Sequence, residues 1–168
     1  MSYSRPILTD KDSLYDMLVT MAEGLLDGED DSVSATANLS ALIFDLLPDL
    51  NWAGFYRVKG DVLVLGPFQG KPACTRIPMG KGVCGTAWQT DQPQVVPNVH
   101  LFPGHIACDG ASNSELVIPI HNPDGRMCAL LDLDSPTVGR FNDAELIKLL
   151  PVIIRLEKWM KQQNIYSL

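Results

Sequence analysis

Apolar residues recur at helical spacing near both ends of the chain and at alternate positions between them. Leu14, Met17, Leu18, Met21 and Leu25 form one stripe, which predicts an amphipathic helix over residues 9–27 capped by Thr9 or Asp10. Gly28 and the acidic run Glu29, Asp30, Asp31 end it. A second helix is expected from a Ser32 cap to Leu47, ahead of Pro48. Val33, Ala37, Ala41, Leu42, Phe44 and Leu46 surround much of its circumference, so it should be largely buried. A last helix is expected from an Asn142 cap towards Gln162, kinked at Pro151, which has no N–H to give and crowds the preceding turn.

From Asn51 the period becomes two. Trp52, Gly54, Tyr56 and Val58 share one strand face, with Ala53 and Phe55 on the other. Lys59-Gly60-Asp61 turns the chain into a second strand, Val62–Leu65, and a short third strand is expected over Cys74–Pro78. Gly82–Thr90 reads as a short helix and Gln94–Val96 as a brief strand. Glu115–Ile120 and Met127–Leu133 are two strands joined at Asn122-Pro123-Asp124-Gly125. The order helix, helix, hairpin, loop-rich insert, hairpin, helix predicts an α+β fold. A mostly antiparallel sheet would carry terminal helices on one face and the irregular insert on the other.

Length and composition narrow the class. The 168 residues fit one domain, 1–168, with no repeat or linker, and 46% hydrophobic with 20% charged residues is ordinary for a globular protein. A formal charge of −7 without a basic block argues against a nucleic-acid or anionic-membrane footprint. No signal-like h-region and no span-length apolar run is present, so a cytosolic chain is expected. In a reducing compartment its four cysteines are not expected to be permanent bridges.

The chemistry concentrates in residues 66–115, a segment punctuated by glycine and proline that holds Cys74, Cys84, Cys108, His100 and His105. Cys108 lies in a polar, glycine-flanked loop, which favours a reactive thiol; Cys74 and Cys84 are open to either a reactive or a packing role. Cys128 lies in an apolar strand and reads as a small core hydrophobe. A zinc site from His100, His105 and Cys108 with Cys74 or Cys84 lacks the closely paired ligand spacing of structural zinc, so no metal is expected. Asp132 and Asp134 alternate with Leu131 and Leu133 and so share a face; the pattern alone makes them solvated aspartates on a half-exposed strand. Glu115, opening the neighbouring strand, can approach them. Three such carboxylates would hold a cation, or give up a proton where one pKa is raised. Trp52 and Tyr56 read first as core, alternatively as the wall of an apolar pocket.

The stretches NWAGFY (51–56), LGPFQGKPACTRIPMGKGVCGTA (65–87), VVPNVHLFPGHIACD (95–109), SNSELVIPI (112–120) and LDLDSP (131–136) resemble the free methionine-(R)-sulfoxide reductases, which are single GAF domains. The resemblance covers nearly the whole chain. It implies a central antiparallel sheet with the N- and C-terminal helices on one face and a loop-covered pocket on the other. It also implies a reaction, reduction of free L-methionine-(R)-sulfoxide, of use against oxidative stress.

By the same resemblance Cys108 is the nucleophile, becoming a sulfenic acid that condenses with Cys74 or Cys84. Thioredoxin would reduce the resulting disulfide, with no cofactor needed. Glu115, Asp132 and Asp134 fall at pocket positions for the substrate ammonium and a proton donor, and Trp52 with Tyr56 would flank the sulfoxide methyl. A homodimer is implied as well. The rival is a small-molecule-sensing GAF domain without catalysis, which has no need of three thiols in its pocket loops, and no output domain is expected beside this one.

Overall fold

A computed structural model of the protein describes residues 11–104 and 110–168. The expected Thr9 or Asp10 cap, His105 and Cys108 lie outside the described residues. In chain order the elements are α1 (Lys11–Leu26), α2 (Ser32–Leu46), β1 (Trp52–Lys59), β2 (Val62–Gly70), β3 (Arg76–Pro78) and α3 (Gly82–Thr90). They continue with β4 (Gln94–Val96), a 3₁₀ turn (Val99–Leu101), β5 (Ser114–His121), β6 (Met127–Ser135) and α4 (Asp143–Gln163). The strands form one antiparallel sheet in the order β3-β2-β1-β6-β5-β4. This is the expected α+β architecture.

Alternation along the strands sorts side chains into two cores. Ala53, Phe55, Leu116, Ile118, Leu131 and Leu133 face α1, α2 and α4, where Leu18, Leu39, Ile43, Leu156 and Met160 complete an apolar layer. Trp52, Tyr56, Val117 and Leu130 face the other way, towards Val83, Cys84, Ala87 and Trp88 of α3. The loop-rich insert therefore forms the second layer, as expected, with a helix at its centre.

Three local features differ from the expectation. The cap of α2 is Asp31, not Ser32: its carboxylate accepts the Ser34 N–H at 2.8 Å. Glu29 leaves it free to do so by accepting the N–H groups of Asp30 and Asp31, each at 2.9 Å. Second, β2 continues past Leu65 to Gly70. The β1–β2 register shifts between Gly54 and Tyr56, and the Phe55 carbonyl comes so close to Gly66 that a Cβ there would lie 2.8 Å away. Glycine permits the strand to continue across this bulge. Pro67 is tolerated because β3 pairs only with Val62–Val64, leaving this stretch an edge. Third, β3 begins at Arg76, so Cys74 lies in the preceding loop. Pro151 sits inside α4 without ending it.

The helical layer is held together by a buried ion pair that the sequence pattern did not announce. Arg140 Nη1 bonds Glu145 Oε1, Tyr15 OH donates to the same oxygen at 3.1 Å, and Arg140 Nε donates to the Pro48 carbonyl at 3.1 Å. These contacts join α1, the α2–β1 loop and the start of α4. Removing one partner strands the other charge away from water. Arg140→Met should therefore cost about 3–5 kcal/mol in urea denaturation. A loss below about 1 kcal/mol would show the pair to be dispensable.

Candidate active site

The site lies on the sheet face opposite the terminal helices, where β1, β6 and β5 run side by side. Trp52, Asp134 and Glu115 are aligned across the three strands, and Gly54, Asp132 and Val117 form the next row. Period two sends all of these towards α3. That helix brings Cys84 over the sheet, where its thiol donates to Glu115 Oε1 at 3.8 Å. One ligand atom from each of Cys84, Glu115 and Asp132 lies within 4.8 Å of the others.

These three groups are almost fully removed from water: Cys84 is 3%, Glu115 7% and Asp132 6% exposed. The solvated-strand reading of Asp132 is thereby overturned, since α3 covers the face that alternation alone left open. Asp134 is only partly buried. Burial disfavours the charged forms, and the groups are close enough to oppose one another's ionisation. Glu115 is raised well above the usual carboxylate range by burial and then by the charges of Asp132 and Asp134. Burial pushes Asp132 up to about 7. The Cys84 thiol is raised by burial and by the neighbouring Asp132 and Glu115, so it is held as a thiol. Asp132 Oδ1 is buried and has no hydrogen-bond partner. The arrangement is a proton-sharing anionic nest that can receive a cation or deliver a proton.

An aromatic wall adjoins it. The Trp52 ring stacks on Phe68 at 5.2 Å between centroids and on Tyr56 at 5.9 Å, and its Nε1–H donates to the Lys71 carbonyl at 3.1 Å. Phe68 was missed because the second strand was expected to end at Leu65, whereas it continues and pairs Phe68 with Gly54. Gly54 leaves room for this stack: a Cβ there would lie 2.4 Å from Phe68 Cβ and 2.7 Å from Trp52 Cη2. Tyr56 does more than line the wall. Its hydroxyl donates to the Cys74 carbonyl at 2.9 Å, fixing the cysteine-bearing loop to the sheet.

Cys74 is disulfide-bonded, whereas Cys84 and Cys128 are free thiols. Cys128 packs in the helix-side core, where its thiol donates to the Ile120 carbonyl at 3.6 Å. His100 is exposed, with Nε2 2.8 Å from Asn113 Oδ1. His121 is bound between Asp91 and Glu157 at the far end of β5. Among the described residues, the group with metal-ligand proximity thus contains no histidine.

A GAF domain family model matches residues 13–152, so the fold and its pocket are of the GAF class. The chain is 51% identical over 134 residues to the free methionine-R-sulfoxide reductase of Escherichia coli, covering 80% of this chain and 81% of that one. It is 43% identical over 154 residues to the Saccharomyces cerevisiae protein of the same name, covering 86% of each. The crystal structure of the Neisseria meningitidis free methionine-R-sulfoxide reductase in complex with its substrate superposes with a TM-score of 0.92 at 38% identity, covering 98% of both chains. The chain belongs to the free methionine-R-sulfoxide reductase family of GAF domains.

Two outcomes test this geometry. Gly54→Ala should destabilise the protein by about 1–3 kcal/mol by displacing Trp52 and Phe68, read as a lower denaturation midpoint and altered tryptophan emission. The second concerns pH. A carboxyl whose folded pKa is raised binds more protons folded than unfolded, so it contributes stability at low pH that is lost as pH rises. For Asp132 the window runs from about 3.8 to about 7. Asp132→Asn should flatten the fall in stability across that window, from about pH 4 to about pH 7, measured by urea midpoints. Parallel profiles for variant and wild type would refute the raised pKa.

Proposed function

We propose that the protein reduces free L-methionine-(R)-sulfoxide to L-methionine. The observation that carries this reading is the buried cluster of Cys84, Glu115 and Asp132 beside Trp52 in a chain 51% identical to an enzyme of that name. A free amino acid offers an ammonium for the acidic nest, a sulfoxide methyl for the indole and a carboxylate for backbone N–H groups of the glycine-rich loops. Holding both termini would exclude methionine sulfoxide within a peptide.

In the proposed mechanism the Cys108 thiolate attacks the sulfoxide sulfur. A protonated carboxyl of the nest, for which the raised Glu115 is suited, donates to the sulfoxide oxygen. The substrate S–O bond breaks and an S–O bond to Cys108 forms, so the substrate sulfur is reduced by two electrons, the cysteine is oxidised to a sulfenic acid, and methionine leaves. A resolving thiol then displaces water to form a disulfide. Cys74 is the better-supported resolver, because it is disulfide-bonded while Cys84 is a buried thiol hydrogen-bonded to Glu115. Thioredoxin dithiol would reduce the bond by exchange. No metal or organic cofactor enters this cycle. We place the enzyme in the cytoplasm as a homodimer; no described helix is long and apolar enough to cross a membrane.

The test is turnover of the free R-sulfoxide with thioredoxin recycling. Cys108→Ser should abolish it. Cys74→Ser should release about one methionine per chain and then stop, while Cys84→Ser should keep recycling. Glu115→Gln should lower kcat by roughly 10²–10⁴-fold if it is the acid. No turnover by folded, reduced wild type would leave a sensing domain in its place, and stalling by Cys84→Ser in place of Cys74→Ser would reverse the resolver assignment.

A further inference from the structure

We propose that Cys84, Glu115 and Asp132 form a binding site for a borderline-soft divalent cation, zinc or cadmium, whose occupancy blocks the pocket. Three elements fix the donors: α3 carries the sulfur, and β5 and β6 carry one carboxylate each. In a tetrahedral zinc site, Zn–S near ~2.3 Å and Zn–O near ~2.1 Å place sulfur and oxygen about 3.6 Å apart. Cys84 Sγ and Glu115 Oε1 are already 3.8 Å apart, and all three donors lie within 4.8 Å of one another. Small side-chain movements complete the coordination.

A second, independent feature points to a ligand. Asp132 is 6% exposed, its carboxyl meets Cys84 and Glu115 of the same cluster, and with both carboxyls ionised its buried Oδ1 has no donor. A buried oxygen in that state needs either a shared proton or a cation. The donor set selects the ion. A cysteine sulfur disfavours magnesium and calcium, which take all-oxygen shells of higher coordination number. Zinc and cadmium accept mixed sulfur and oxygen donors. Three protein ligands leave a fourth position for water, so the site is of the open, exchangeable kind and not a closed structural one.

The ion would occupy the nest assigned above to the substrate ammonium, and only this inhibitory consequence rests on the reductase reading. Binding itself does not.

The experiment uses cadmium chloride as the probe, titrated into the oxidised protein in which Cys74 is held in its disulfide. One equivalent should produce a sulfur-to-cadmium charge-transfer band in the near ultraviolet. Cys84→Ser should remove the band and Cys128→Ser should keep it. Asp132→Asn should weaken binding at least tenfold with the native near-ultraviolet circular dichroism retained, which guards against a variant that fails to fold. An undiminished band in Cys84→Ser, or no band in the wild type, overturns the site. With the reduced enzyme, zinc should raise the KM for methionine sulfoxide with kcat unchanged, and a chelator should restore it. Zinc that lowers kcat at unchanged KM would place the ion elsewhere. If the protein turns over no sulfoxide at all, the cadmium titration still decides the site.

Discussion

Two carboxyls and a thiol share a nearly dry space on the pocket face of the sheet, and this crowding governs the rest of the pocket. Glu115, Asp132 and Cys84 cannot all be ionised there, because burial and mutual repulsion both favour protons. Like charges in a low-dielectric site are tolerable when they hold protons or when a cation arrives. The pocket is thus poised between two states, one carrying its own protons and one carrying a ligand's positive charge. Such a site is suited to binding a cation and to donating a proton for the same physical reason.

The fold makes this possible by splitting one sheet between two tasks. Alternate residues of β1, β5 and β6 supply apolar contacts to α1, α2 and α4, so the helical layer gives the sheet its hydrophobic foundation. The other residues of the same strands are released from that duty. Leu131 and Leu133 anchor β6 from below while Asp132 faces α3 from the opposite side. A polar cluster on an otherwise apolar sheet is destabilising, and the well-packed helical side offsets it. The Trp52, Phe68 and Tyr56 stack adds rigidity on the pocket side, where the cluster itself contributes little.

Much of this was legible in the sequence, and the parts that were not share a cause. Period two placed Asp132 and Asp134 on one face, and helical spacing with turn chemistry located the elements, α3 and the short β4 included. These are local signals. The burial of Asp132 was illegible because it depends on α3, which packs over the strand from some forty residues away in the chain. The Asp31 cap was hidden behind Glu29, whose carboxylate takes the loop N–H groups that a simple cap reading leaves open. Phe68 was obscured because the second strand was expected to end at Leu65, whereas it continues across the bulge. Resemblance to the reductase family pointed to pocket positions that pattern could not: alternation never distinguishes a solvated aspartate from a buried one.

The two pocket cysteines illustrate how environment divides labour between chemically identical groups. Cys84 sits on a helix, under acids that keep its proton in place, and its thiol is a hydrogen-bond donor to Glu115. A thiol in such surroundings is a poor nucleophile, since exchange requires the thiolate. Cys74 lies in a loop tethered to the sheet through the Tyr56 hydroxyl and its own carbonyl. The tether holds the backbone of the loop, and the Cys74 sulfur is engaged in a disulfide. The buried cysteine is thus a thiol that hydrogen-bonds the acids, while the looped one is already in a disulfide, the difference on which the proposed division of roles rests. Tyr56 links the two surroundings, because the ring that walls the acidic nest also carries the hydroxyl that holds the Cys74 loop.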